Sequence, residues 1–269
     1  MGIETNPVGG KQVGGHWEGP IKMLYEDGKF KKPITYGKEL LFNQEVAAKE
    51  GAEFSIVRKY NLIPKYHGTE TKTVQISETE TREVEYMILD DATAGFIKPC
   101  TLDVKIGTQT WHADCKPAER ERRMEVDKHQ TTSKYGFKFT GLRTKDPVTG
   151  EDTDYPRNFS WRFLDDESIV GAFEKFLQCC PKEKLADTLR FYCEKIEHVI
   201  EFMRIAGYSI VNSSLLMMYD ADPESERAPE LVMIDFAHST KLPEGKIDEG
   251  YIFGCSEISR LFKIILGKL

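Results

Sequence analysis

The stretch Pro99-Cys-Thr-Leu-Asp-Val-Lys-Ile-Gly107 offers the clearest chemistry in the chain. If residues 102–106 are extended, side chains alternate and Asp103 and Lys105 leave the same face. A carboxylate beside an ammonium suits phosphoryl transfer. The carboxylate can orient or deprotonate an attacking hydroxyl while the lysine neutralises charge on the group in flight. The same spacing also describes an ordinary ion pair on a strand surface. A second acid, Asp235, follows the apolar run Leu231-Val-Met-Ile234 directly. A buried strand that ends in a carboxylate is a common way to hold Mg²⁺, which takes oxygen ligands and keeps part of its water. A cap for whatever follows would look the same.

Three weaker features accompany these. Gln12-Val-Gly-Gly-His16, with Gly19 nearby, could cover nucleotide phosphates through backbone amides, or be a plain turn. Lys32 could reach phosphates from the end of a strand, or simply face solvent. Lys116, Arg120, Arg122, Arg123 and Lys128 gather positive charge in an acidic chain, but interleaved Glu119, Glu121 and Glu125 also fit a salt-bridged helix face. His112 and Cys115 are too close and too solitary for a zinc site.

Positioning these groups requires a strand-rich first third. Residues 21–25 and 29–34 flank Glu26-Asp27-Gly28, a strong hairpin signal. A helix is expected over 37–51 and a strand over 83–89, with the chain leaving that sheet at 90–95. Beyond it come a strand at 102–106, a charged helix over 117–130, a strand at 137–142 and a polar loop at 146–157. Asp165 or Asp166 can cap a following helix, and Pro181 starts another. That second helix places Leu185, Leu189, Tyr192, Ile196, Val199, Ile200 and Met203 on one face, a stripe that reads as core packing. Two strand-like runs, 208–219 and 231–236, form a long-looped hairpin before a closing helix at 252–266. The crevice between a β-rich first lobe and a mixed second lobe is the expected ligand site.

The 269 residues suffice for two lobes with a sizeable core. Hydrophobic residues at 40% and charged residues at 30% are globular values, and no apolar run approaches the roughly 20 residues that span a bilayer. The N-terminal residues match neither a signal sequence nor a myristoylation site, so cytoplasm or nucleus is expected. The six cysteines form no CxxC pair and read as reduced thiols. A net charge of −7 argues against nucleic-acid binding, while a local basic patch still permits a small anionic substrate.

In order along the chain, these segments resemble the inositol polyphosphate kinase family. Pro99, Asp103, Lys105 and Gly107 match every fixed position of its PxxxDxKxG signature. Ser213-Ser-Leu-Leu216, Ile234-Asp-Phe236 and Gly250-Tyr-Ile-Phe-Gly254 match its SSLL, IDF and GYxxG elements, and the likeness extends forward to 12–16, Lys32-Pro33, Glu39 and Phe42. No HRD catalytic loop is present, which argues against a protein kinase proper.

The resemblance implies an α+β, two-lobed, protein-kinase-like fold, with a nucleotide-binding lobe at 1–92 and a second lobe at 93–269. ATP and Mg²⁺ would be the cofactors. Lys32 would meet ATP phosphates, backbone groups of Asp90 and Ala92 the adenine, and Asp235 both the metal and the nucleotide. Asp103 would assist the acceptor hydroxyl and touch the ribose, and Lys105 would contact the transferred or acceptor phosphate. The segment at about 108–133 would bind inositol phosphate, with Lys116, Arg123, Lys128 and His238 as further substrate contacts. A monomer with a small-molecule inositol polyphosphate substrate and no nucleic-acid partner is expected. Gln12-Val-Gly-Gly-His16, the hairpin before Lys32-Pro33 and Tyr251-Ile-Phe-Gly254 look most like the hexakisphosphate kinases, so a hexakisphosphate kinase making diphosphoinositol phosphate is the branch expected, with a multikinase phosphorylating inositol tris- or tetrakisphosphate hydroxyls as the alternative. Asp103-Val-Lys-Ile-Gly-Thr-Gln-Thr-Trp111 is similar to the multikinase branch instead. An inactive inositol phosphate-binding module is the alternative from another class, against which the joint presence of Lys32, Asp103, Lys105 and Asp235 speaks.

Overall fold

A computed structural model describes residues 20–48, 51–146, 148–155, 159, 163 and 165–269; the glycine cluster at 12–16 and Gly19 lie outside them. Asp27 and Gly28 both take left-handed angles, φ 51° and 71°. That is the geometry of a two-residue turn whose twist matches its flanking strands. It joins β1 (Leu24–Glu26) to β2 (Lys29–Pro33) as the expected hairpin. Pairing continues through β4 (Thr81–Asp90) to β3 (Tyr66–Gln75), giving a four-stranded sheet of order β1-β2-β4-β3. The helix expected over 37–51 stops earlier, as α1 (Gly37–Ala48), and α2 (Ala52–Lys59) follows. No strand is expected from the sequence where β3 lies. Its side chains alternate between half-buried and exposed with none fully buried, so this edge strand carries little apolar signal.

The second sheet has order β10-β9-β5-β6-β7, with β5 (Pro99–Ile106) at its centre. Beside it run β6 (Phe137–Lys145) and β9 (Ser214–Asp220), and β7 (Asp152–Tyr155) and β10 (Glu230–Ile234) form the edges. The polar loop expected at 146–157 thus includes a short edge strand. Between β5 and β6 lie α3 (Pro117–Lys128) and α4 (Thr131–Tyr135).

Three helices, α5 (Asp166–Leu177), α6 (Lys182–Ile205) and α7 (Glu249–Leu266), complete this lobe. Asp165 caps α5, its side chain accepting from Ser168 N–H in a reciprocal capping box, and Pro181 stands just before α6. The α6 stripe is core: Leu189, Tyr192, Ile196, Val199, Ile200 and Met203 are buried. They join Cys100, Leu102, Val104 and Ile106 of β5 in one continuous cluster. One face of β5 is therefore committed to packing, which leaves Thr101, Asp103 and Lys105 on the other.

The run expected over 208–219 is two strands. Asn212, at φ 63°, breaks it into β8 (Tyr208–Ile210) and β9, and β8 pairs with β11 (Ser239–Lys241) in a small separate sheet. Among the described residues no helix is long and apolar enough to cross a membrane.

Candidate active site

A cleft of ≈ 660 Å³ is walled by both sheets and by the segment joining β4 to β5. It gathers Lys32, Asp90, Ala92, Asp103, Lys105, Arg123, Asp235 and His238, eight of the ten residues the sequence singled out. The other two lie elsewhere. Lys128 is exposed and pairs with Glu125 one turn away on α3, and Lys116 is an exposed residue at the start of that helix. The alternation of charge that made this helix basic also lets much of its charge be spent on its own carboxylates.

Asp103 sits on the central strand, 5% exposed, where the register against β6 shifts between Asp103 and Val104. Such a bulge re-aims a side chain beside a site. The Thr140 hydroxyl donates to Asp103 Oδ1 at 2.7 Å. Burial raises the Asp103 pKa above the ordinary carboxylate value and the nearby Asp235 charge adds to this, against the opposing pull of Lys105. Asp235 moves the other way: burial would raise it, but Lys32 and Lys105 together hold it below the usual range. Its backbone is left-handed, φ 66°, a conformation that costs a non-glycine residue energy and collects at functional sites.

Lys32 joins the two lobes. Its Nζ donates to Glu39 Oε1 of α1 at 2.7 Å and to Asp235 Oδ1 at 2.6 Å. Burial disfavours its charge, yet these two carboxylates more than compensate and raise its pKa. Glu39 also accepts from Phe236 N–H at 3.2 Å, so one buried carboxylate orients both the lysine and the backbone that follows Asp235. Lys105 Nζ donates to Asn212 O at 2.7 Å, and Asn212 Nδ2 donates to Thr110 O at 2.7 Å. Asn212 therefore ties the signature lysine to the segment that follows it.

Within that segment Asp127 is 3% exposed and accepts from both Thr110 N–H and Thr110 Oγ1. Arg123 donates to Thr110 O and to Glu119. Thr140, Asn212, Asp127 and Lys138 were not singled out from sequence. Thr140, Asn212 and Asp127 act through partners well separated in the chain, while Lys138 meets Gln130 eight positions back, and only Asn212 left a trace, as a residue type that tolerates the left-handed break.

The donor set suits a hard cation. No group of three or more His, Cys, Asp or Glu side chains gathers among the described residues. A metal at Asp235 would thus have few protein ligands and complete its shell from phosphate and water, as Mg²⁺ does. On the side toward the β4–β5 connection, Phe96, Met218 and Val232 pack with Ala92, Leu216 and Ile234 into a separate apolar cluster. Leu216, Ile234 and Ala92 face the cleft and make a surface for a flat ring.

The family model of inositol polyphosphate kinase matches residues 86–263. Inositol polyphosphate multikinase beta of Arabidopsis thaliana is 26% identical over 95% of this chain and 92% of its own length. Inositol hexakisphosphate kinase 1 of Saccharomyces cerevisiae is 27% identical over 66% of this chain and 18% of its own length. The fold matches that of inositol phosphate multikinase Ipk2 from S. cerevisiae, solved with ADP and Mn²⁺. The TM-score is 0.73 at 20% identity, covering 88% of this chain and 99% of that one.

Proposed function

The chain belongs to the inositol polyphosphate kinase family and is a phosphotransferase, and from that premise we propose that it moves the γ-phosphoryl group of ATP, with a divalent metal, onto an inositol polyphosphate. The observation that carries this reading is the meeting of Lys32 from β2, Asp103 and Lys105 from β5, and Asp235 after β10 in one cleft. Apolar Ala92, Leu216 and Ile234 fit the adenine ring, with backbone groups of Asp90 and Ala92 beside it. Lys32, now between Glu39 and Asp235, would turn to the nucleotide phosphates.

Asp235 would hold the metal, which when bound neutralises charge on the phosphates during transfer. Asp103, fixed by Thr140, would orient the acceptor hydroxyl and take its proton. Its raised pKa makes it a better base than an ordinary aspartate. Lys105 would balance charge on the group in transit. At the acceptor end, Arg123, Lys138 and His238 line the cleft and suit a polyanion.

The acceptor has two readings. A match along nearly the whole length of a multikinase, together with the stretch 103–111, supports transfer to hydroxyls of inositol tris- or tetrakisphosphates. The hairpin before Lys32-Pro33, the Tyr251-Ile-Phe-Gly254 motif and the likeness to a hexakisphosphate kinase favour the second reading, a diphosphoinositol product. The test is product analysis after incubation with labelled ATP, Mg²⁺ and either inositol trisphosphate or inositol hexakisphosphate. New phosphate esters identify the first reading and a phosphoanhydride the second. No transfer to either acceptor would overturn the proposal.

A further inference from the structure

His238 lines the cleft and stacks face to face on His112 from a distant segment just behind it, ring centroids 3.9 Å apart and planes 12° apart. Tyr36 lies against His238 as well, at 5.5 Å. His112 Nδ1 is buried and has no hydrogen-bond partner among the described residues. A buried ring nitrogen without a partner is costly unless a ligand supplies one.

The surrounding charges say which kind of ligand. Lys38 at the start of α1, Lys105 on β5 and Arg123 on α3 all bear on His238. The two acids that face the pair, Asp114 and Glu119, are already engaged, Asp114 with Lys38 and Glu119 with Arg123. Burial, then His112 and these cations, lower the His238 pKa to about 4, so His238 is neutral when no anion is present. Phosphate oxygens reverse that field. They accept hydrogen bonds from ring N–H groups and favour imidazolium over imidazole.

We propose that His112 and His238 together form one phosphate subsite for the acceptor, and that filling it draws about one proton from solvent onto the stacked pair. The inference rests on the inositol polyphosphate reading above and adds His112 and a linked proton to it. Because the bound state holds more protons, affinity rises as pH falls, by up to about tenfold per pH unit, in the window between the titration of His238 in the empty protein and that of the filled subsite.

Titration calorimetry without ATP, in two buffers of different ionisation enthalpy at neutral pH, counts the protons taken up with inositol hexakisphosphate and with inositol trisphosphate. His112→Phe keeps a stacking ring and removes its nitrogens. It should bind at least about fivefold more weakly and take up fewer protons than the wild type. Comparison with wild type cancels protons that belong to the probe itself. His198→Phe, at a histidine stacked on Tyr60 outside the cleft wall, should match the wild type.

Equal proton uptake and affinity in His112→Phe would overturn the subsite while leaving the kinase reading intact. Failure of both probes to bind the wild type would overturn both. Should His112→Phe not fold, histidine NMR signals of the wild-type protein decide. Of the six, the signals of the stacked pair must move toward imidazolium positions by about one proton in all on adding the probe, and unmoved signals count against the pair.

Discussion

Asp103 and Asp235 are neighbouring carboxylates whose surroundings push them apart, Asp103 upward and Asp235 downward. Such a split assigns roles, because the harder acid to ionise is the better proton acceptor and the readily ionised one suits a metal. Asp103→Asn should lower turnover by about 10²–10⁴-fold with ATP affinity nearly kept, as steady-state rates and nucleotide titration would report. In the wild type the rate should climb with pH through the raised Asp103 pKa. A rate with no fall toward acid would remove Asp103 as the base. The same shift makes a stability claim. The folded protein holds the Asp103 proton more tightly than the unfolded chain, so ionising it costs stability. That cost is absent below the unfolded value of about 4 and complete above the folded one. Asp103→Asn should therefore melt higher than wild type at neutral pH, with the gain fading in acid. A lower melting temperature at neutral pH would mean that the pull of Lys105 outweighs burial. Asp235→Asn should lower metal-dependent turnover by several orders of magnitude, because it would lose the proposed metal ligand and leaves Lys32 with Glu39 alone of these two carboxylates.

Among the elements, α7 shows what the closing GYxxG motif does. Gly254 lies against Gly136 so closely that an added β-carbon would stand 1.9 Å from Gly136 O and 3.1 Å from Ile106. The same Gly136 O accepts from Gly107 N–H at 2.7 Å, and Tyr251 shares a 3.1 Å hydrogen bond with Ser213, whose carbonyl accepts from Ile106 N–H. The motif thus braces the end of the strand that carries Asp103 and Lys105. Gly254→Ala should cost at least the upper end of ~1–3 kcal/mol in chemical denaturation. Gly171→Ala on α5 has open space and should gain about 0.5–1 kcal/mol. Equal effects of the two would show that the close approach is not what matters. This bracing was not legible in the sequence, where the motif appeared only as a resemblance, because it depends on contacts between residues far apart in the chain, Ser213 and Tyr251 by 38 positions and the others from different elements. The hairpin turn, the alternation of β5 and the α6 stripe were legible, since each is set by neighbours within a few residues. The candidate site divides the same way. Its charged residues announced themselves by type, whereas Thr140, Asn212 and Asp127, which aim them, are ordinary polar residues until the fold gives them partners.

For the molecule as a whole, the question is whether two sheets make two independent halves, and α1 decides it. This helix follows β2 in the chain, yet Phe42 stacks on Phe236 at 4.4 Å and meets Tyr208 edge-on at 5.2 Å. Glu45 accepts from the Tyr208 hydroxyl and from Lys241 at 3.0 Å, and Glu39 holds Lys32 and the Phe236 N–H together. The first lobe is therefore latched to the second through a helix whose buried face belongs to the second lobe's core. Halves joined this way unfold together, so calorimetry should give one thermal transition. Glu45→Gln replaces a charge-assisted acceptor by a neutral amide. It should lower stability by about 1–3 kcal/mol and the melting temperature by roughly 2–4 °C per kcal/mol, still in one transition. Because the other end of α1 aligns Lys32, the same variant should raise the KM for ATP more than it lowers kcat. Two resolved transitions, or a lowered melting temperature with an unaltered KM for ATP, would show that α1 serves only as packing and that Lys32 is aligned without it.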